Sequence, residues 1–244
     1  MSRSVAAFTA LGAMLAIPTL AQPPSPSAVA PPQELYHLHF AKAAAGKLAE
    51  LTEANKGGPA PDKGDPQVAP IILRHREGGE WDLFVITPLG KEHTMRTDVP
   101  LPQDVQQFNQ RVNPLTDWHS DSFVVGPTWD VVQKALMPSA GAQSTVYTVS
   151  DYRAVPGHRP QLRQTLDALA QQAPGRGVLF AHAEGGPWNF IDVVRYDSWG
   201  DLGRQATQPA PAASQPDPGL QLREHMAVHH DTVATYVAGG EARK

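Results

Sequence analysis

The stretch "REHMAVHHDTV" carries three histidines within six positions of this 244-residue chain. Imidazoles titrate near neutral pH and are common metal ligands, so the stretch could serve a metal, a haem or a proton transfer. On a helix, His225 and His229 lie four positions apart and share one face, and we predict them as candidate metal or haem ligands. A zinc-protease motif is not met, because Met226 stands where that motif has its glutamate. The alternative is a solvated polar face on which Asp231 pairs with His230.

A second histidine pair, His37 and His39, lies in the segment "LYHLHF". Alternating apolar and polar residues predict a strand, on which both imidazoles project from one face. There they could hold a metal or place one ring as a general base. The alternative is a pair of solvated or hydrogen-bonded histidines. The other face of this strand carries Tyr36, Leu38 and Phe40, and we predict that it packs beneath helices.

The elements that must position these histidines occur twice along the chain. The sequence "HREGGEW" at 75–81 returns as "HAEGGPW" at 182–188. The Glu-Gly-Gly core of each copy favours a tight hairpin between two strands. A position that is repeated in both copies more often has a structural role in the hairpin than a role in ligand binding. We therefore interpret the repeated histidine, glutamate and tryptophan as structural residues.

The match extends into the flanking segments. Upstream, "LYHLHF" aligns with "VYTVSD" at 146–151, which places Thr148 and Ser150 on the face that carries the histidines of the first copy. Downstream, "HSDSF" at 119–123 resembles "HHDTV" at 229–233. Duplication favours a packing role for these two segments, but on two pseudo-symmetric helices they could also supply groups to one central pocket. We predict Thr148 and Ser150 as polar pocket-lining groups, together with the two histidines of the first copy.

Each copy has the element order of a ferredoxin-like unit. The first copy is predicted as strands at 35–40, 70–76 and 80–87, with helices at 43–55 and from 103 onward. The second copy is predicted as strands at 145–150, 177–183 and 188–196, with helices at 159–172, from 198 and at 220–237. The predicted fold is therefore α+β, with two tandem ferredoxin-like repeats, 34–137 and 144–238, that form one intramolecular, pseudo-dimeric α/β barrel.

This element order, the duplicated turn and the helix start "PGHR" at 156–159 resemble the dimeric α/β barrel superfamily, here as a tandem fused pair. That superfamily includes antibiotic-biosynthesis monooxygenases, EthD-like and NIPSNAP-like proteins and several haem-binding enzymes. The resemblance implies a small-molecule pocket between the two halves, lined by the predicted histidine, threonine and serine side chains. It also implies oxygenase-like chemistry or, through one of the two helical histidines, haem ligation.

Composition predicts the character of several segments. Residues 1–21 have a positive start, an apolar run and small residues before position 22, which is typical of a cleaved export signal. Proline-rich segments at 22–33 and 206–219 are predicted as a tether and a flexible insertion. We therefore expect a periplasmic or secreted protein with no transmembrane span after signal cleavage.

Composition also excludes several classes of function. The chain has no cysteine, which removes thiolate nucleophiles, iron–sulfur clusters and cysteine zinc sites. Its net charge is −4 and its basic residues are scattered, which argues against nucleic acid as a partner. Three functions stay open: binding of a small, largely apolar ligand with or without oxygenase-like chemistry, a non-enzymatic envelope interaction module, and a haem-binding protein. A fused barrel is compatible with a monomer or a homodimer.

Overall fold

The computed structural model describes residues 33–59, 61, 65–90, 100–141, 144–171, 175–207 and 217–243. The predicted export signal and most of the predicted tether and insertion lie outside these residues. Within the described part, none of the helices combines the length and the apolar character needed to cross a membrane.

Eight antiparallel strands of the described chain close into a barrel. They are β1 (Gln33–Ala43), β2 (Ile71–Glu77), β3 (Leu83–Gly90), β4 (Thr116–Pro127), β5 (Val146–Ala154), β6 (Gly177–Gly185), β7 (Phe190–Tyr196) and β8 (Met226–Ala238). Their order is β1-β3-β2-β8-β5-β7-β6-β4, and β4 pairs with β1 to complete the ring. If β1 is exchanged with β5, β2 with β6, β3 with β7 and β4 with β8, the order around the ring is unchanged. The first four strands and the last four therefore occupy equivalent places in the barrel.

Six helices of the described chain accompany the barrel. They are α1 (Leu48–Lys56), α2 (Gln103–Val112), α3 (Trp129–Leu136), α4 (Arg159–Ala170), α5 (Trp199–Ala206) and α6 (Pro218–His225), and a short 3-10 turn (Asn113–Leu115) joins α2 to β4. On the outer surface, Leu51 of α1 packs with Ala41, and Leu162 of α4 packs with Tyr152. The predicted α+β class is confirmed.

The barrel interior is a packed core built from both halves. Tyr36 and Leu38 of β1 are buried in one cluster with Tyr147 and Val149 of β5 and with Phe180 of β6. The rings of Tyr36 and Phe180 meet edge to face, with their centroids 5.2 Å apart. The apolar face of β1 therefore points into the barrel. The prediction that this face packs beneath helices is wrong. Closing eight strands encloses one face completely, whereas helices cover the other only in part, so the largest apolar side chains take the inner face.

The predicted helix at 220–237 is wrong over most of its length. Helix α6 ends at His225, and strand β8 begins at Met226. Along β8, Thr232 and Ala234 are buried at alternate positions, and the strand pairs with β2 on one side and β5 on the other. The helix predicted from 103 onward likewise stops at Val112, because the "HSDSF" segment belongs to strand β4.

The duplicated hairpins pack each half of the chain against the other. Gly78 has φ +103° and lies against the carbonyl oxygen of Asp231 on β8. Gly185 has φ +101° and lies against the carbonyl oxygen of Asp121 on β4. A Cβ atom at either glycine would come within 2.4 Å of that oxygen. A left-handed backbone and a close backbone approach coincide at both positions, and only glycine tolerates both.

Candidate functional site

A cavity of about 500 Å³ lies between the outer face of β1, β3 and β4 and the helices α1 and α2. We call it the α1/α2 cleft. Its apolar walls include Leu51, Val85, Val105, Phe108, Val112 and Phe123. Small-molecule sites have volumes of roughly 300–1,000 Å³, mostly apolar walls and a few convergent polar groups. The cleft meets the first two conditions.

Three imidazoles converge on one carboxylate at the sheet side of the cleft. Asp121 Oδ1 lies 2.8 Å from His37 Nε2 and 2.7 Å from His39 Nδ1. Asp121 Oδ2 lies 2.7 Å from His119 Nδ1. The antiparallel register of β1 and β4 brings these groups together, because it sets His39 directly opposite Asp121. We call these four side chains the His–Asp cluster, and they give the cleft its convergent polar groups.

The carboxylate of Asp121 is ionised in this arrangement. Burial by itself raises the pKa of the carboxyl, but hydrogen bonds and charge interactions with His37 and His39 outweigh burial and hold the pKa well below its usual value. An ionised carboxylate only accepts hydrogen bonds, so each imidazole of the cluster turns an N–H toward it. The opposite nitrogen of a neutral ring is then available to accept a proton.

The sequence did not decide whether His119 and Asp121 serve packing or belong to the site. Both lie in the "HSDSF" segment, which the sequence predicts as part of the helical material from residue 103 onward. On a strand, His119, Asp121 and Phe123 occupy alternate positions and share the outer face, where all three line the cleft. Strand alternation in this segment was the signal that would have identified them.

The structure does not bring the two predicted polar pairs together between the halves. His37 and His39 line the α1/α2 cleft, outside the barrel. Thr148 and Ser150 lie on β5, on the opposite side of the ring, where Ser150 Oγ donates a hydrogen bond to Asp231 Oδ1 at 2.7 Å. The reason is that the polar faces of β1 and β5 point out of the barrel, whereas the prediction had them pointing into the space between the halves.

His225 and His229 do not share a helical face. His225 ends α6, and its Nδ1 lies 3.1 Å from His158 Nδ1. His229 lies on β8 and stacks on the ring of Tyr152 with centroids 6.3 Å apart. Neither histidine lines the α1/α2 cleft. The prediction that they share a helical face is therefore wrong, and their role as metal or haem ligands stays a prediction.

A second cavity, of about 780 Å³, lies beside β2, β8 and α5. Arg76, Glu77, Thr235 and the half-exposed Trp199 are among its lining residues. It is larger than the cleft but has no comparable convergence of imidazoles on a carboxylate among its described lining residues. We therefore place the candidate site in the α1/α2 cleft.

A buried carboxyl marks the outer face of the second half. Burial raises the pKa of Asp192 on β7 to about 7, and a hydrogen bond from the backbone N–H of Val193 offsets only part of this rise. Its Oδ1 atom has no hydrogen-bond partner among the described residues. The carboxyl is therefore largely protonated below neutral pH.

Asp192→Asn is expected to change the pH dependence of stability. The unfolded carboxyl loses its proton near pH 3.8, whereas the folded one retains it to about pH 7. The free energy of unfolding of the native chain therefore falls as pH rises between these values, by up to about 4 kcal/mol. Urea unfolding should show the variant equal to the native chain at pH 4 and more stable at pH 8. The same difference at both pH values would contradict the assignment.

Sequence comparisons find no matching family model and no matching curated protein, whereas solved structures match in fold. An anthrone oxidase-like protein is 15% identical, covers 86% of this chain and 94% of its own, and has a TM-score of 0.53. A candidate monooxygenase from Lactobacillus acidophilus NCFM has 8% identity, 86% and 97% coverage and a TM-score of 0.53. Another from Fusobacterium nucleatum has 10% identity, 88% and 96% coverage and a TM-score of 0.59. The chain thus has the dimeric α/β barrel fold, which confirms the predicted resemblance at the level of the fold.

Proposed function

We propose that this protein binds a small, largely apolar molecule in the α1/α2 cleft, with the polar end of that molecule against the His–Asp cluster. The observation that carries the proposal is the convergence of three imidazoles and a carboxylate beside an apolar cavity of about 500 Å³. Export from the cytoplasm is part of the proposal and is supported by the composition of residues 1–21.

We further propose that the barrel is an internal pseudo-dimer of two fused ferredoxin-like repeats, 34–137 and 144–238. The exchange symmetry of the strand order supports this. The matching contacts of Gly78 and Gly185 with the opposite halves also support it. Among the described residues, the His–Asp cluster occurs in the first repeat alone, so we expect one site per chain.

Oxygenase-like chemistry on the bound molecule is the finer part of the proposal. The names of the structural neighbours, an oxidase-like protein and two candidate monooxygenases, support it. The cluster also offers a proton acceptor: with Nδ1 of His119 turned toward Asp121, its Nε2 can take a proton from an acidic carbon of the ligand. Anthrone is such a carbon acid, and its reaction with one dioxygen gives anthraquinone and one water.

Phe108→Ala is expected to weaken anthrone binding about tenfold, because it removes an aromatic wall of the cleft that contributes roughly 1.4 kcal/mol to the binding free energy. Equilibrium dialysis of the full chain under anaerobic conditions measures this. Trp199→Ala is the matched control, since Trp199 lines the second cavity and not the cleft. If only the Trp199→Ala control binds anthrone more weakly, the ligand binds in the second cavity and not in the cleft. Anthrone-dependent oxygen uptake then tests the oxygenase-like chemistry. Binding of anthrone without oxygen uptake would contradict the proposed chemistry and leave the proposed binding in place.

A further inference from the structure

We infer that His37, His39 and Asp121 bind one divalent first-row transition-metal ion at the sheet side of the α1/α2 cleft. This inference rests on the proposed function, because it assigns a cofactor to the same cleft.

The ligand atoms already lie close enough to share one ion. One nitrogen each of His37 and His39 and a carboxylate oxygen of Asp121 all lie within 4.8 Å of one another. A first-row metal holds nitrogen and oxygen ligands at about 2.0–2.2 Å, which sets neighbouring ligand atoms about 3.0–3.6 Å apart in octahedral to tetrahedral geometry. The present separations of 2.8 and 2.7 Å between the imidazoles and the carboxylate are slightly shorter. Side-chain rotations, together with transfer of each N–H to the opposite nitrogen of its ring, would therefore admit the ion.

The donor set selects the class of metal. Two imidazoles and one carboxylate suit zinc, iron(II) and their first-row neighbours, whereas calcium and magnesium prefer sites made of oxygen ligands alone. Three protein ligands leave at least one coordination position open. The cleft supplies the space beside that position, so an oxygen atom of a bound molecule could occupy it.

Neighbouring side chains hold the ligands in place. His119 Nδ1 contacts Asp121 Oδ2 at 2.7 Å, which leaves Oδ1 to face the other two imidazoles. The ring of His37 stacks on Phe123 with centroids 5.3 Å apart. Contacts of this kind fix the orientation of metal ligands and are part of the affinity of natural sites. The ligands also project from two paired strands, which are more rigid supports than loops.

The second half of the barrel lacks the same donors at the equivalent place. Thr148 and Ser150 stand where the first half has its histidine pair, and Asp231 stands where it has Asp121. Ser150 Oγ donates its hydrogen bond to Asp231. Neutral hydroxyl groups are poor substitutes for imidazole toward zinc. One ion per chain is therefore expected.

Zinc titration of the full chain, stripped of metal with a chelator, tests the inference by calorimetry. The native chain should bind one Zn²⁺, and Asp121→Asn should weaken that binding by more than about 100-fold. Asp231→Asn, the matched carboxylate of the second half, should bind as the native chain does. The absence of saturable binding, or equal binding in native and Asp121→Asn chains, would overturn the inference.

A second measurement needs no variant. In proton–nitrogen spectra of the native imidazole rings, Zn²⁺ should shift Nε2 of His37 and Nδ1 of His39 and leave His158 and His225 unchanged. Shifts confined to other histidines would overturn the inference. Anthrone binding to the metal-free chain is measured alongside: if it persists while zinc fails to bind, the metal site is wrong and the proposed function stands. If zinc binds and anthrone does not, the proposed ligand fails and the metal site stands.

Discussion

Gly185→Ala is expected to lower the free energy of unfolding by about 3 kcal/mol and to weaken zinc binding by the folded protein. The residue has φ +101°, and an added Cβ would lie 2.4 Å from the carbonyl oxygen of Asp121 and 2.8 Å from Cα of Ser122. Both are backbone atoms, so β4 must move away from the hairpin and take Asp121 with it. Urea unfolding and zinc calorimetry measure the two effects.

Gly78→Ala is the matched control for this prediction. Gly78 has φ +103°, and its added Cβ would lie 2.4 Å from the carbonyl oxygen of Asp231. We expect a similar loss of stability, but unchanged zinc binding by the folded protein, because Asp231 lies in the other half of the barrel. If both variants weaken zinc binding equally, the hairpin at Gly185 does not position the site.

The second large effect is expected from replacing both His37 and His39 by alanine. The variant loses two of the three proposed metal ligands and most of the polar end of the cleft, so zinc binding should fall by more than about 100-fold and anthrone binding by at least about tenfold. The side chains are 30% and 25% exposed, so the fold should tolerate the change. Equilibrium dialysis with each probe measures both effects.

His158→Ala combined with His225→Ala is the control for the double variant. These two imidazoles also contact each other, at 3.1 Å, but they lie outside the cleft. Their removal should leave the binding of both probes unchanged. Unchanged anthrone binding in the His37 and His39 double variant would show that the polar end of the ligand does not face this cluster.

Most of the barrel could be predicted from the sequence, because alternation and turn chemistry are local properties. The alternation of "LYHLHF" defines β1, and the duplicated Glu-Gly-Gly turns mark the β2–β3 and β6–β7 hairpins. The last strand could not be predicted in this way. The stretch "REHMAVHHDTV" has polar residues on both faces, and it becomes a strand beyond His225 because β2 and β5 pair with it. That pairing is a tertiary effect that overrides local propensity.

The candidate site was predicted only in part. The pattern of β1 shows that His37 and His39 share a face, but not whether that face points into the barrel or outward. The answer depends on which side chains fill the closed interior, and this involves residues as distant in sequence as Tyr36 and Phe180. The pairing of β1 with β4, which brings Asp121 to the histidines, is equally non-local.

A crystal structure of the full chain with zinc and anthrone, grown without oxygen, tests the central claim most directly. We expect a zinc ion bound by His37, His39 and Asp121, and anthrone in the α1/α2 cleft between Phe108 and the sheet. Anthrone inside the barrel or beside Trp199, or a zinc ion held by other residues while the His–Asp cluster stays unchanged, would contradict the account.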